Sequence, residues 1–132
     1  MEKRSVAGIA MQQGKFFIAR RRPGGALGEK WEFPGGKVEP GETDEAALLR
    51  EYQEELEVPI TVGPFLGSAS FEYRGLHRVY AYQVRLEGYD FKLAEHTEYR
   101  WATLEEIRTL DFADSDRNLL SHLTAFCASN SE

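Results

Sequence analysis

The feature that most constrains this chain is one uninterrupted helical stretch held between two backbone breaks. Thr43 to Leu56 contains neither proline nor glycine, follows Pro40-Gly41, and is closed off by Pro59. Proline has no amide hydrogen and its ring clashes with the preceding turn, so a helix cannot run through it. Thr43 is a good N-cap, and Asp44 and Glu45 occupy the first turn, where the helix dipole favours negative charge. Ala46, Ala47, Leu48, Leu49 and Leu56 are strong helix formers. Helical residues advance by about 100° each. With Glu51 at zero, Glu54 falls near −60° and Glu55 near +40°, whereas Leu49, Tyr52 and Leu56 fall between about 100° and 160°. The spacing therefore predicts a helix that buries one apolar stripe and turns three carboxylates to a different face.

Like charges at this spacing cost only a few tenths of a kcal/mol on a surface helix, so the acids alone are compatible with a solvated face. The preceding segment tips the reading. Glycines at 35, 36 and 41 let the backbone turn sharply and approach a ligand closely. A backbone carbonyl from that turn and the carboxylates together form a hard-oxygen donor set, which suits Mg²⁺ completed by water and substrate phosphates.

The rest of the chain supplies strands. Ser5–Gln12 and Lys15–Arg20 flank Gln13-Gly14 and read as a hairpin. Arg21–Lys30 is a glycine- and proline-rich loop, and Trp31–Phe33 is a short apolar piece. Ile60–Phe65, Ser68–Tyr73 and His77–Leu86 read as three strands, the last two joined at Arg74-Gly75. Gly88–Thr97 is irregular and Tyr99–Trp101 is a short strand. Thr103–Thr109 is a short helix with Thr103 and Glu106 spaced as a capping box. A last helix, capped by Asp114 or Ser115, runs to about Phe126, and Ser129–Glu132 frays. The order is that of an α+β domain with a mixed sheet and helices on its faces. Residues 1–132 form one domain, with no repeat or linker.

Composition narrows the partners. Sixteen Lys and Arg against twenty-two Asp and Glu give 16 − 22 = −6. That balance argues against a nucleic-acid polymer as partner. Phosphate substrates remain open to it, provided a divalent cation lies between them and the protein. No apolar run reaches the roughly 18 residues that span a bilayer, so no membrane is expected. The single cysteine, Cys127, cannot form an internal disulfide and reads as a small buried residue; a reducing, cytoplasmic setting fits it.

Gly36 to Val58 resembles the Nudix box of the Nudix hydrolases, G-x5-E-x7-R-E-U-x-E-E-x-G-U with U a bulky apolar residue. Gly36, Glu42, Arg50-Glu51, Glu54-Glu55 and Val58 match it in register. Tyr52 stands where an aliphatic residue is usual, and Glu57 where the pattern has glycine. Trp31-Glu32-Phe33-Pro34-Gly35-Gly36-Lys37-Val38-Glu39 is similar to the MutT-type subgroup, and the similarity extends from Arg20-Arg21 to Asp116–Leu120.

The resemblance implies a Nudix α/β/α sandwich around a central mixed sheet, with Mg²⁺ as cofactor and Mn²⁺ as a substitute. It implies metal ligation by Glu51, Glu54 and Glu55, with Glu51 or Glu55 also orienting or deprotonating water. Gly35 offers its carbonyl to the metal. Arg50 orients a neighbouring carboxylate, and Glu42 is structural. Glu95 aligns better than Glu98 with a further metal glutamate of MutT-like proteins; a solvated loop acid is the other reading. His96, beside it, reads as a surface residue, and His77 and His122 carry no motif. Arg21 and Lys37 are candidate phosphate contacts as cations near the glycine turn. Phe33 is either a wall of the base pocket or a core aromatic. Asp116 stands where the subgroup places a base-reading Asn or Asp, or else caps a helix.

The implied activity is Mg²⁺-dependent hydrolysis of a nucleoside triphosphate, such as 8-oxo-dGTP or another dNTP, to the monophosphate and pyrophosphate. A nucleoside diphosphate sugar or dinucleotide pyrophosphatase is a second reading, for which Tyr73 leaves a weak opening; a nucleotide-sensing module without turnover is a third. A homodimer fits the family's habit.

Overall fold

The computed structural model describes residues 3–25, 28–72 and 74–124. Tyr73, Cys127, the helix end near Phe126 and the tail Ser129–Glu132, on which the sequence placed expectations, lie outside the described residues.

Two β-sheets share one chain crossing. β1 (Lys3–Ile9) runs parallel to β7 (Leu76–Leu86) and antiparallel to β5 (Gly35–Lys37), and β6 (Ile60–Glu72) closes this first sheet in the order β5-β1-β7-β6. Beyond Ile9 the chain passes into the second sheet. There β2 (Met11–Gln12) and β4 (Trp31–Glu32) pair with β3 (Lys15–Arg21), and β8 (His96–Ala102) also pairs with β3. The expected hairpin is thus only its tip. Met11 faces Phe16 and Gln12 faces Lys15, while β1 has left to join the other sheet. Gln13 and Gly14 both have positive φ, which matches the twist of a tight two-residue turn.

Residues alternate across β3 and divide the core. Phe16 and Ile18 face one apolar layer with Trp31, Phe33, Ile107, Phe112 and Leu119. Phe17 faces the other layer, with Leu48, Tyr52, Leu56, Ile60 and Val84. The first layer is covered by α2 (Leu104–Thr109), α3 (Asp114–Arg117) and helical residues 120–124, the second by α1 (Asp44–Leu56). The result is the expected α/β/α sandwich with mixed pairing.

Three local expectations change. The two strands placed at 60–65 and 68–73 are one long strand, β6, which absorbs its register breaks as bulges at Val62/Phe65 and Phe65/Gly67. The helix starting near 114 is capped by Ala113 without a side-chain hydrogen bond, so neither Asp114 nor Ser115 caps it. On α1 the buried residues are Ala47, Leu48, Tyr52, Glu55 and Leu56, whereas Leu49 is exposed. The acids and the apolar stripe therefore overlap. Glu55 lies inside the buried arc, and Glu54 alone of the three lies fully outside it.

Candidate catalytic site

The site begins where α1 packs on the β5 turn. Thr43 caps the helix by accepting from the Ala46 amide at 3.1 Å. Arg50, further along the helix, ties the loop before α1 to α1 itself. Its Nε and Nη2 donate to the two carboxylate oxygens of Glu42 at 2.7 and 2.9 Å. Nη2 also donates to the Lys37 carbonyl at 2.9 Å, and Nη1 donates to Glu51 at 2.6 Å and Glu54 at 3.0 Å. A planar fork suits several carboxylates at once. The Arg50 hydrogen bond is the main reason the Glu42 carboxyl is held down at about 2. Glu42 thus acts as the structural anchor expected of it.

Glu51 sits against the backbone of β5. A Cβ at Gly36 would collide with its carboxylate, so this approach requires glycine. Burial raises the Glu51 carboxyl above the usual range, although Arg50 opposes the shift. Glu55 is more extreme. Only 5% of it is exposed, and its Oε1 has no hydrogen-bond partner among the described residues. Burial first, then the charges of Glu32 and Glu51, push its carboxyl up to about 9; the Gly35 amide, which donates to it, works the other way. A buried carboxylate with an open oxygen is short of a cation or a proton.

Two residues given no role by the sequence complete this edge. Glu32, on β4, is buried, and its Oε2 accepts from Arg21 Nη1 at 3.2 Å and lies 2.9 Å from His96 Nε2. His96 is fully buried, which corrects its reading as a surface residue. Potential ligand atoms of Glu32, Glu55 and His96 all lie within 4.8 Å of one another. Glu32 and His96 are 64 positions apart, and they meet only because β4 and β8 both pair with β3. Glu32 was visible inside the Trp31–Glu39 segment, but no spacing linked it to His96.

Beside the carboxylates opens a cleft of about 160 Å³, lined by Arg21, Glu32, Phe33, Phe71, Val79 and Asp116 among others. This is smaller than the roughly 300–1,000 Å³ of pockets for drug-sized ligands, so it holds one flat fragment of a ligand rather than the whole. Asp116 Oδ2 accepts from the Phe33 amide at 2.8 Å. Burial, then the charge of Glu32, lifts the Asp116 carboxyl to about 7. Asp116 lies within α3 and is not its cap. Phe33 belongs both to the cleft wall and to the core, stacked edge-on against Phe112 and Phe16.

The fold thus gathers Gly35, Arg50, Glu51 and Glu55 on one side and Arg21, Phe33 and Asp116 on the other. Glu54 is exposed, with Arg50 as its ion-pair partner. Glu95 is exposed just before β8, and its charge, with those of Glu32 and Glu55, favours the Arg21 cation against its burial. Lys37 is exposed and lines a separate depression with Lys3, Arg4 and Pro40.

Comparison with known proteins agrees with this architecture. The model of the NUDIX domain family matches residues 1–123. The chain is 35% identical over 124 residues to the CTP pyrophosphohydrolase of Escherichia coli (strain K12), covering 93% of this chain and 92% of that protein. It is 41% identical over 69 residues to the 8-oxo-dGTP diphosphatase of Proteus vulgaris, covering 52% and 62%. The solution structure of the E. coli ORF135 protein superposes with a TM-score of 0.86 at 33% identity, covering 98% of this chain and 94% of that one.

Proposed function

The chain belongs to the NUDIX domain family, and from that premise we propose that it hydrolyses a nucleoside triphosphate to the monophosphate and pyrophosphate with Mg²⁺ as the working cation. The buried Glu55 carboxylate, with one open oxygen beside Glu51 and next to that cleft, is the observation that carries this reading. The names of the relatives, a CTP pyrophosphohydrolase and an 8-oxo-dGTP diphosphatase, support the triphosphate class.

The donor set fits a hard divalent cation. Glu51, Glu54 and Glu55 would hold it, joined by the Gly35 carbonyl and Glu95. All are oxygen donors, and the open Glu55 oxygen lacks a partner among the described residues. When bound, such a cation neutralises phosphate charge and lowers the pKa of water. The remaining work belongs to the chain. Arg50 fixes Glu51 and Glu54 through one guanidinium, which keeps their carboxylates from repelling each other apart. Glu51 or Glu55 orients the attacking water and accepts its proton. Arg21, which lines the cleft, binds phosphate oxygens. Phe33 packs against the base, while Asp116 accepts from ring N–H or exocyclic amine and, when protonated, also donates.

The test is a panel of dGTP, 8-oxo-dGTP, dCTP, CTP and ADP-ribose with Mg²⁺, assayed for phosphate and pyrophosphate separately. Pyrophosphate from a triphosphate is expected. Turnover confined to ADP-ribose would reject the substrate class.

A further inference from the structure

We propose that His96 is a positioning residue that lets Arg21 pass from Glu32 to the phosphates of the substrate. The inference rests on the proposed contact of Arg21 with phosphate.

Glu32 is a buried carboxylate, and one of its oxygens, Oε2, serves two neighbours. Arg21 Nη1 donates to it at 3.2 Å, and His96 Nε2 lies closer, at 2.9 Å. The other ring nitrogen of His96, Nδ1, is buried without a partner among the described residues. A hydrogen on Nδ1 would be an unpaired buried donor, whereas a hydrogen on Nε2 donates to Glu32. The ring hydrogen that meets a partner is therefore the one on Nε2.

Arg21 differs from His96 in exposure. A third of its side chain is exposed, and it lines the cleft that also holds Phe33 and Asp116. A phosphate arriving there competes with Glu32 for the guanidinium. If Arg21 left and nothing else held Glu32, a buried carboxylate would lose its cation partner, which is strongly unfavourable. His96 cannot follow the substrate, because it is fully buried in β8. It stays on Oε2 and keeps that oxygen hydrogen-bonded while Arg21 moves. A nearby carboxylate with no other donor would hold Arg21 back; the imidazole weakens that hold.

The test uses wild type, His96→Leu, His96→Gln, Glu32→Gln and the Glu32→Gln/His96→Leu pair. It reads the Kd of a non-hydrolysable GTP analogue, kcat and KM for the best triphosphate, Mn²⁺ affinity by electron paramagnetic resonance, and the thermal midpoint. In His96→Leu, analogue Kd and KM should rise about tenfold or more with kcat within about threefold, the size expected for losing a hydrogen bond to a charged group. His96→Gln keeps an N–H donor and should stay within about threefold of wild type, and His96→Leu should add less than about twofold once Glu32 is Gln.

An equal loss in the Glu32→Gln background would overturn the proposal, as would a fall in kcat at constant KM. A tenfold loss of Mn²⁺ affinity in His96→Leu would also overturn it, because the imidazole would then be acting on the cation. Should His96→Leu fail to fold, His96→Asn replaces it: a shorter amide that cannot reach Glu32 must reproduce the KM effect while His96→Gln does not. Wild-type turnover with no KM change in Arg21→Ala would remove this proposal and leave the function intact. Absence of both analogue binding and turnover in wild type would reject the function itself.

Discussion

Tyr52 lies over the α-carbon of Gly8. Its hydroxyl donates to the Gly8 carbonyl at 3.1 Å, and a Cβ added at Gly8 would collide with that same hydroxyl oxygen. This contact explains why the box carries tyrosine where an aliphatic residue is usual. The ring fills the space that a side chain on β1 would take, and its polar tip finds a partner inside the core. It is one of the contacts by which α1, which also carries Glu51 and Glu55, packs on β1.

Tyr52→Phe should cost about 1 kcal/mol, since it removes one buried hydrogen bond but keeps the ring. Gly8→Ala should cost more, about 1–3 kcal/mol from overpacking, and should reduce turnover because the helix must lift. Urea unfolding and a pyrophosphate assay check both. A Gly8→Ala variant as active and stable as wild type would show that the packing of α1 does not depend on this contact.

Glu57 ends α1 in the left-handed region, at φ 51° and ψ 44°, with its amide donating to the carbonyls of the last turn. An L-residue there carries a strain of about 1–2 kcal/mol relative to glycine, part of which glycine gives back through its freer unfolded chain. Glu57→Gly should therefore raise stability by about 0.5–1 kcal/mol and leave turnover unchanged. A fall in thermal midpoint would contradict this.

Arg50 joins Glu42, Glu51, Glu54 and the Lys37 carbonyl through one planar group. Lysine keeps the charge but not the fork. Arg50→Lys should lower kcat about a hundredfold, the cost of misplacing reacting groups by about 1 Å. Amide exchange should speed up over residues 37–42. Unchanged exchange there would place the loss elsewhere.

With no cation bound, burial and then the charges of Glu32 and Glu51 push the Glu55 carboxyl up to about 9, from an ordinary 4.5. The native state then holds a proton that the unfolded chain has lost, so stability falls as pH rises through that window. Glu55→Gln cannot ionise. It should abolish turnover yet raise the midpoint of the cation-free protein at pH 8, with little change at pH 5. Glu42, held at about 2, contributes the opposite slope: stability is lost as pH falls below the ordinary carboxylate range. Equal midpoints for wild type and Glu55→Gln at pH 8 would mean that Glu55 is ionised in the empty site.

Asp116 is lifted to about 7, so its carboxyl both accepts and donates below neutrality and only accepts above it. Preference among bases should therefore shift between pH 6 and pH 8.5. Asp116→Asn, which donates and accepts at every pH, should remove that shift. A preference that stays flat with pH in wild type would take Asp116 out of base reading.

The box residues could be read from sequence because their chemistry is local. A helix spaces Glu51, Glu54 and Glu55 by a fixed rotation, Thr43 and Pro59 bound it, and glycine at 36 is required wherever a carboxylate presses on the backbone. The strand at 15–20 was legible as one arm of a hairpin at Gln13-Gly14, but its burial on both faces came only from packing. Which arc of α1 is buried was not local. Helical rotation separated Glu55 from Tyr52 and Leu56 by angle, but packing against the rest of the fold buried all three.

By itself the sequence determined the helix, its N-cap, the glycine bend and the set of acids, because each follows from backbone sterics or from spacing along one element. Only the tertiary structure decided that Glu32, His96 and Arg21 would share one oxygen, and that Asp116 would bond the Phe33 amide. Those partners come from strands and a helix far apart in the chain, and strand pairing together with the packing of α3 brings them together. Burial then makes each polar contact count, since water cannot replace a partner that is lost.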